Sequence, residues 1–129
     1  MFGLEIARLS GMDRDKEALA CSEEALWIYR ALAEQDPSAF NDKRAMSLYN
    51  LAVYHRRVED TEKSLSTITE SSQLYEKLAE EYPEAFSGKY ADTLDVLYDC
   101  LADAGRDEEA SAVEQKAVLM RATAIGDES

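Results

Sequence analysis

Four aspartates form the arrangement in this chain whose residue type and spacing could most directly support chemistry. Asp92, Asp95, Asp99 and Asp103 recur at intervals of three or four residues, which places them on one face of a helix. Such a row could bind a basic side chain or, through its first three members, a calcium ion. Carboxylates on a helix lack the oxygen-rich loop that calcium prefers. We therefore predict no metal and no cofactor.

The single histidine, His55, is the best candidate for a catalytic base, and it is followed by Arg56 and Arg57. It recurs at helical spacing with Leu51 and Ala52, which places it on a packed face and favours a buried, hydrogen-bonded imidazole. No Ser- or Cys-based triad, Gly-rich phosphate loop or HExxH motif accompanies it. We predict that the protein is not an enzyme, and a metal-dependent or small-molecule enzyme is the weakest hypothesis.

An internal repeat of 46 residues must position these groups. Residues 15–60 and 61–106 are identical at thirteen of 46 aligned positions, where average residue usage would give about three. The period runs once more, more weakly, beyond residue 106. The residues that recur 46 positions later are Leu19, Glu24, Tyr29, Leu32, Ala33, Glu34, Pro37, Ala39, Phe40, Lys43, Ala45, Leu48 and Leu51.

Each repeat unit is predicted to form two helices, because apolar residues recur at i, i+3, i+4 and i+7 in both of its halves. Pro37 and Pro83 are expected to end the preceding helices, and Asn41 and Ser87 to cap the following ones. Gly105 is expected to stop a helix in the last unit. The predicted helices are 2–11, 14–35, 41–57, 60–81, 87–104 and 107–124.

Small residues occupy the positions at which paired helices would cross. Ala52 lies in a first helix, and two rows of small residues lie seven positions apart in the second helices. Helices approach closely where both carry small side chains, so the pattern predicts antiparallel pairs that stack on one another. The two rows are Ala18, Ser64 and Ala110, and Ala25, Ser71 and Ala117.

These residues together resemble the tetratricopeptide repeat. One copy is carried by Leu48-x2-Leu51-Ala52, Ser64, Ser71 and Pro83, and the next by Leu94-x2-Leu97, Leu101, Gly105, Ala110 and Ala117. The period of 46 is longer than the family's usual 34 and is similar to arrays attached to fungal and bacterial signalling ATPases. Two departures are Leu48, where the family usually has an aromatic residue, and Tyr98, where it has a small one.

The resemblance implies an all-α fold, a right-handed superhelical stack of three antiparallel helix pairs. The whole chain, 1–129, would form one domain with units of about 1–37, 38–83 and 84–126. It also implies that first helices line a concave groove that binds a partner protein or peptide, basic or amphipathic in character. The predicted groove residues are Met46, Tyr49, Asn50, Val53, Arg56, Arg57, Asp92, Asp95, Asp99 and Asp103.

Two alternatives to this groove remain open. The aspartates could be only a solvated face of an acidic protein. The chain could also be a structural, self-associating or regulatory segment of a larger signalling ATPase, dimerising through Phe2, Leu4, Ile6 and Leu9. The groove does not resemble the family's clamp for acidic chaperone tails, because Asn50 matches that clamp whereas Asp92 and Val96 replace its cations.

Composition excludes several other classes of partner and location. The net charge of −13 and pI near 4.4 disfavour nucleic acid and anionic membranes as partners. The start of the chain carries no basic region followed by a long apolar stretch, so no secretory signal is expected. Cys21 and Cys100 suit reduced thiols in a cytoplasmic protein.

Trp27 is expected to pack in the core or at an interface.

Overall fold

The computed structural model describes residues 2–126, with the side chains of residue 11 and of residues 13–125. This part of the chain is all-helical and holds no strand. The predicted all-α class is therefore confirmed. The helices are α1 (Phe2–Gln35), α2 (Pro37–Arg57), α3 (Thr61–Glu81), α4 (Pro83–Asp103) and α5 (Asp107–Gly126).

The prolines both end one helix and start the next. Pro37 and Pro83 stand at the first position of α2 and α4, so a single residue separates each of these helices from the one before. Proline suits this position because its fixed φ is helical and its missing N–H has no partner to lose. The predicted caps Asn41 and Ser87 are therefore wrong, since both lie inside helices.

The other two connections are three-residue turns with the same backbone shape. Glu59 and Gly105, which lie 46 positions apart, both have a positive φ, of 61° and 75°. The amide of Asp60 donates to the carbonyl of His55, and that of Arg106 donates to the carbonyl of Leu101, each at 2.9 Å. These bonds close the helix ends in the manner of a left-handed C-terminal cap. The sequence repeat is thus also a repeat of turn geometry.

The break predicted between residues 11 and 14 does not occur, and α1 runs uninterrupted as one helix. The six predicted helices are therefore five in the described residues, and the first predicted helix pair is not formed as a pair. The physical reason lies in Gly11-Met12-Asp13-Arg14, where a lone glycine costs a helix only about 1 kcal/mol and no proline enforces a stop. The N-terminal residues expected to form a dimer lie outside the described side chains.

Each helix packs against its neighbours in the chain, and α2 also contacts α4 directly. A three-residue turn joins the end of α2 to the start of α3. Ten residues into α3, the Ser71 hydroxyl donates at 2.9 Å to the carbonyl of Ala45, twelve residues before the end of α2, so the two helices are antiparallel. A single residue joins α3 to α4. Seven residues into α4, the Tyr90 hydroxyl donates at 2.8 Å to the carboxylate of Glu76, five residues before the end of α3, so these helices are antiparallel as well. Since α2 and α4 are each antiparallel to α3, they run parallel to each other.

The core forms where α2, α3, α4 and α5 meet. Ile68 of α3 is fully buried at its centre, and a second cluster joins Leu26 of α1 to Leu48 and Leu51 of α2. Five of the seven small residues predicted at the helix crossings are buried, whereas Ala18 and Ala25 of α1 are only partly buried. The five buried residues are Ala52, Ser64, Ser71, Ala110 and Ala117, all at most 2% exposed.

Candidate partner-binding groove

The parallel helices α2 and α4 form the two sides of a surface furrow, which we call the α2–α4 groove. It contains two clefts, a smaller one toward the start of both helices and a larger one toward their ends. Nine of the ten predicted groove residues line one cleft or the other. The tenth, Asp95, lines neither cleft and binds Arg121 of α5.

The smaller cleft, of about 210 Å³, is largely aromatic and apolar. Burial raises the pKa of the Tyr49 phenol, and the carboxylates of Asp92 and Asp95 raise it further. Burial likewise raises the pKa of Tyr75 to about 12, so both phenols stay neutral and keep their protons. The residues that line this cleft are Met46, Tyr49, Asn50, Tyr75, Lys89, Asp92 and Thr93.

The larger cleft, of about 660 Å³, has an apolar floor and charged walls. Val53 and Val96 form the floor, one from each helix. Arg57 lies at the rim with its guanidinium 5.4 Å from the ring centre of Tyr54, in cation–π geometry. The residues that line this cleft are Val53, Arg56, Arg57, Glu59, Thr61, Val96, Asp99 and Asp103.

The aspartate row is neutralised in part by two arginines, each of which bridges two carboxylates. Arg56 of α2 reaches Asp103 at 2.8 Å and Asp99 at 3.7 Å. Hydrogen bonding to Asp103 is the main reason that the pKa of the Arg56 guanidinium is raised. Arg56 on the α2 side of the groove is therefore joined to Asp99 and Asp103 on the α4 side at this end.

Arg121 makes the second bridge and is the residue that sequence reasoning missed. Its guanidinium lies 2.7 Å from Asp95 and 3.0 Å from Asp92, which raises its pKa chiefly through the hydrogen bond to Asp95. The repeat held a clue to it. Arg121 stands 46 residues after Tyr75, and Asp95 stands 46 residues after Tyr49. Tyr75 and Tyr49 line the same cleft, so a pair of positions that is aromatic in one unit is ionic in the next.

His55 is buried, as predicted, with 5% of its surface exposed. Its Nδ1 atom has no hydrogen-bond partner among the described residues, so the expected bonding is absent at that atom. Burial lowers the pKa of the imidazole, and Lys63 lowers it further, against the opposite effects of Asp60 and Glu23. His55 lines neither cleft of the α2–α4 groove.

Trp27 is not in the core, because 73% of its surface is exposed. It lies beside Ile28 on α1, whose side chain is also exposed. The last helix, α5, likewise exposes Val118, Leu119 and Ile125. Trp27 and Leu119 stand at equivalent repeat positions, two periods apart. The prediction that Trp27 packs in the core is wrong, and the interface alternative is left as a prediction.

Metal binding and membrane insertion find no support in residues 2–126. No three His, Cys, Asp or Glu side chains converge there as metal ligands. None of these helices combines the length with the apolar character needed to cross a bilayer. The thiols of Cys21 and Cys100 are both free, the first exposed and the second buried.

No family model, curated protein or solved structure matches this chain.

Proposed function

We propose that this protein is a non-catalytic interaction module that holds a segment of a partner protein in the α2–α4 groove. The observation that carries the proposal is that two parallel helices bring nine predicted residues into one open furrow. Its apolar floor offers the burial that drives association, and its charged walls offer specificity. We further propose that the helices stack as a right-handed superhelix of the tetratricopeptide type. The 46-residue recurrence of helix ends and turns supports that arrangement.

The chemistry of the groove favours a basic or amphipathic segment. Four aspartates face two bridging arginines, Arg56 and Arg121, so the row keeps an excess of negative charge. These ion pairs are exposed, and exposed pairs contribute only about 0–1 kcal/mol each. A lysine or arginine of the partner can therefore replace a bridging arginine at little cost. We expect the module to act in the cytoplasm, where thiols such as Cys21 and Cys100 stay reduced.

A second candidate function is a structural or regulatory segment of a larger signalling ATPase. It is favoured by the exposed apolar side chains of α1 and α5. Leu26 and Ala33 of α1 are buried under α2, whereas Val118 and Ile125, the equivalent residues of α5, are more than 60% exposed. Such a face would suit a further repeat or a second subunit.

A peptide-display selection tests the proposal, with the wild-type chain compared with an Asp95→Arg/Asp99→Arg variant. Both side chains are at least 45% exposed, so the variant should fold, and far-ultraviolet dichroism checks this. We expect the wild type to enrich basic or amphipathic sequences that the variant loses. If the wild type enriches no motif, the groove proposal fails and the structural role gains support.

A further inference from the structure

We infer that the partner segment binds in the α2–α4 groove as an α-helix, with an apolar and a cationic side chain seven residues apart. This inference rests on the proposed function and adds the conformation and spacing of the ligand. It depends on how the two clefts are related along the helices, on the chemistry of each cleft and on the direction of α2 and α4.

The two clefts repeat with a period of seven residues along both helices. On α2, the smaller cleft is lined by residues 46, 49 and 50 and the larger by residues 53, 56 and 57. On α4, residues 89 and 92 line the smaller cleft, and residues 96 and 99, seven positions later, line the larger one. A seven-residue recurrence on parallel helices is the pattern of the holes that accept the knobs of a packed helix.

The separation of the clefts selects a helix over a strand. Seven residues at a rise of about 1.5 Å place equivalent points about 10.5 Å apart. On a guest helix, residues i and i+7 share a face and have the same spacing. On an extended strand, residues about 10 Å apart are three positions apart and point to opposite faces, so only one of them could enter the groove.

The smaller cleft suits the apolar side chain of the ligand. Met46, Tyr49 and Tyr75 supply three of its seven lining side chains, and the phenols stay neutral at any physiological pH. Lys89 turns its ammonium toward the ring of Phe86, at 5.5 Å from the centroid, so its stem adds further apolar surface. A leucine or methionine can bury its side chain there.

The larger cleft suits the cationic side chain. Its three carboxylates, from Glu59, Asp99 and Asp103, outnumber the guanidinium groups of Arg56 and Arg57. The Arg56–Asp99 distance of 3.7 Å is longer than that of a good hydrogen bond. A carboxylate oxygen of Asp99 can therefore accept a hydrogen bond from the ligand. The floor of Val53 and Val96 can receive the aliphatic stem of a lysine or arginine.

The experiment uses fluorescein-labelled 21-residue peptides of an alanine- and glutamine-rich helical sequence. One series carries leucine at i and arginine at i+7, in both orders along the chain. The first control moves the arginine to i+5, off the leucine face, and the second places a proline between the two residues. Fluorescence anisotropy gives the affinity of the full chain for each peptide.

We expect one i,i+7 peptide to bind at least tenfold more tightly than its i+5 and proline controls. The Asp99→Asn/Asp103→Asn variant should lose that tenfold preference. The Glu80→Gln/Glu81→Gln variant removes the same charge from exposed positions on α3 and should keep it.

Equal affinity for the i+7 and i+5 peptides overturns the inference, as does binding that survives proline. Display can then still select a motif whose binding the Asp95→Arg/Asp99→Arg variant abolishes. In that case only the helical conformation of the ligand is rejected, and the proposed binding in the groove stands. If neither the display nor the peptide series gives a ligand, both proposals fail.

Discussion

Lys116 of α5 and Glu76 of α3 form an ion pair of 2.7 Å that occupies the repeat positions of Glu70 and Arg30, with the charges exchanged. Arg30 and Glu70 are also 2.7 Å apart, and each pair joins one second helix to the next. The geometry of the 46-residue unit is thus kept while its charges are inverted. Because the contact recurs with its charges exchanged, it is set by the register of the paired helices, that is, by which backbone positions lie opposite each other.

A charge swap tests this register. Lys116→Glu alone brings two carboxylates together and should lower the free energy of unfolding by about 0.5–1 kcal/mol, since the pair is about half exposed. The double variant Glu76→Lys/Lys116→Glu restores opposite charges in the sense of Arg30 and Glu70 and should recover most of the loss. Urea unfolding at low salt measures the wild type, each single variant (Glu76→Lys and Lys116→Glu) and the double variant. If the double variant loses as much free energy of unfolding as the two single variants together, the helix register does not set this contact.

The turns at residues 59 and 105 should respond to substitution with opposite signs. Gly105→Ala forces a side chain into a φ of 75° and should cost about 1 kcal/mol, although the added Cβ would meet no atom within 4 Å. Glu59→Gly relieves the same strain at a φ of 61° and should gain a few tenths of a kcal/mol. Thermal unfolding checks both. A loss of similar size at both sites would contradict equivalent turns.

His55 should make the fold sensitive to mild acid. Its pKa is lowered in the folded protein, chiefly by burial, so the unfolded chain, with a pKa near 6.5, takes up a proton first. The contribution of the neutral His55 side chain to the free energy of unfolding is therefore fully present above about pH 6.5. It is lost as the pH falls below that value. The carboxylates of Asp60 and Glu23 oppose this lowering of the pKa, and the ammonium of Lys63 adds to it.

A His55→Leu variant is the matched control for this pH dependence. The equivalent residue one period later is Leu101, which is 4% exposed, so leucine fits the position. The variant also removes the unpaired Nδ1 atom. Urea unfolding between pH 7.5 and 5.5 should show a smaller loss of stability in the variant than in the wild type. Equal losses would assign the acid sensitivity to other groups.

Much of the fold could be predicted from apolar periodicity and from the repeat. Every helix after α1 begins and ends within four residues of its predicted bounds, and the buried residues of α2 and α4 follow the expected spacing. The errors are local. Asn41 and Ser87 have the chemistry of caps, but Pro37 and Pro83 start the helices earlier. Gly11 alone is too weak a breaker to end a helix.

The site was harder to predict than the fold because its charges pair across helices. A single helix face shows four aspartates, and only the packing of α4 beside α2 and α5 shows that Arg56 and Arg121 bridge them. Arg121 lies in the weakest copy of the repeat, where alignment to Tyr75 hides the change from aromatic to ionic contact. Trp27 is similar, since its exposure depends on which helix covers α1.

Amide chemical-shift mapping with a display-selected peptide shows directly whether the α2–α4 groove binds a partner segment. The largest perturbations should fall on both sides of the α2–α4 groove, at Tyr49 and Val53 of α2 and at Val96 and Asp99 of α4. The outer faces of α1 and α5 serve as the internal control. Perturbations confined to those faces, around Trp27 and Leu119, would contradict a binding groove and favour an end-to-end structural interface.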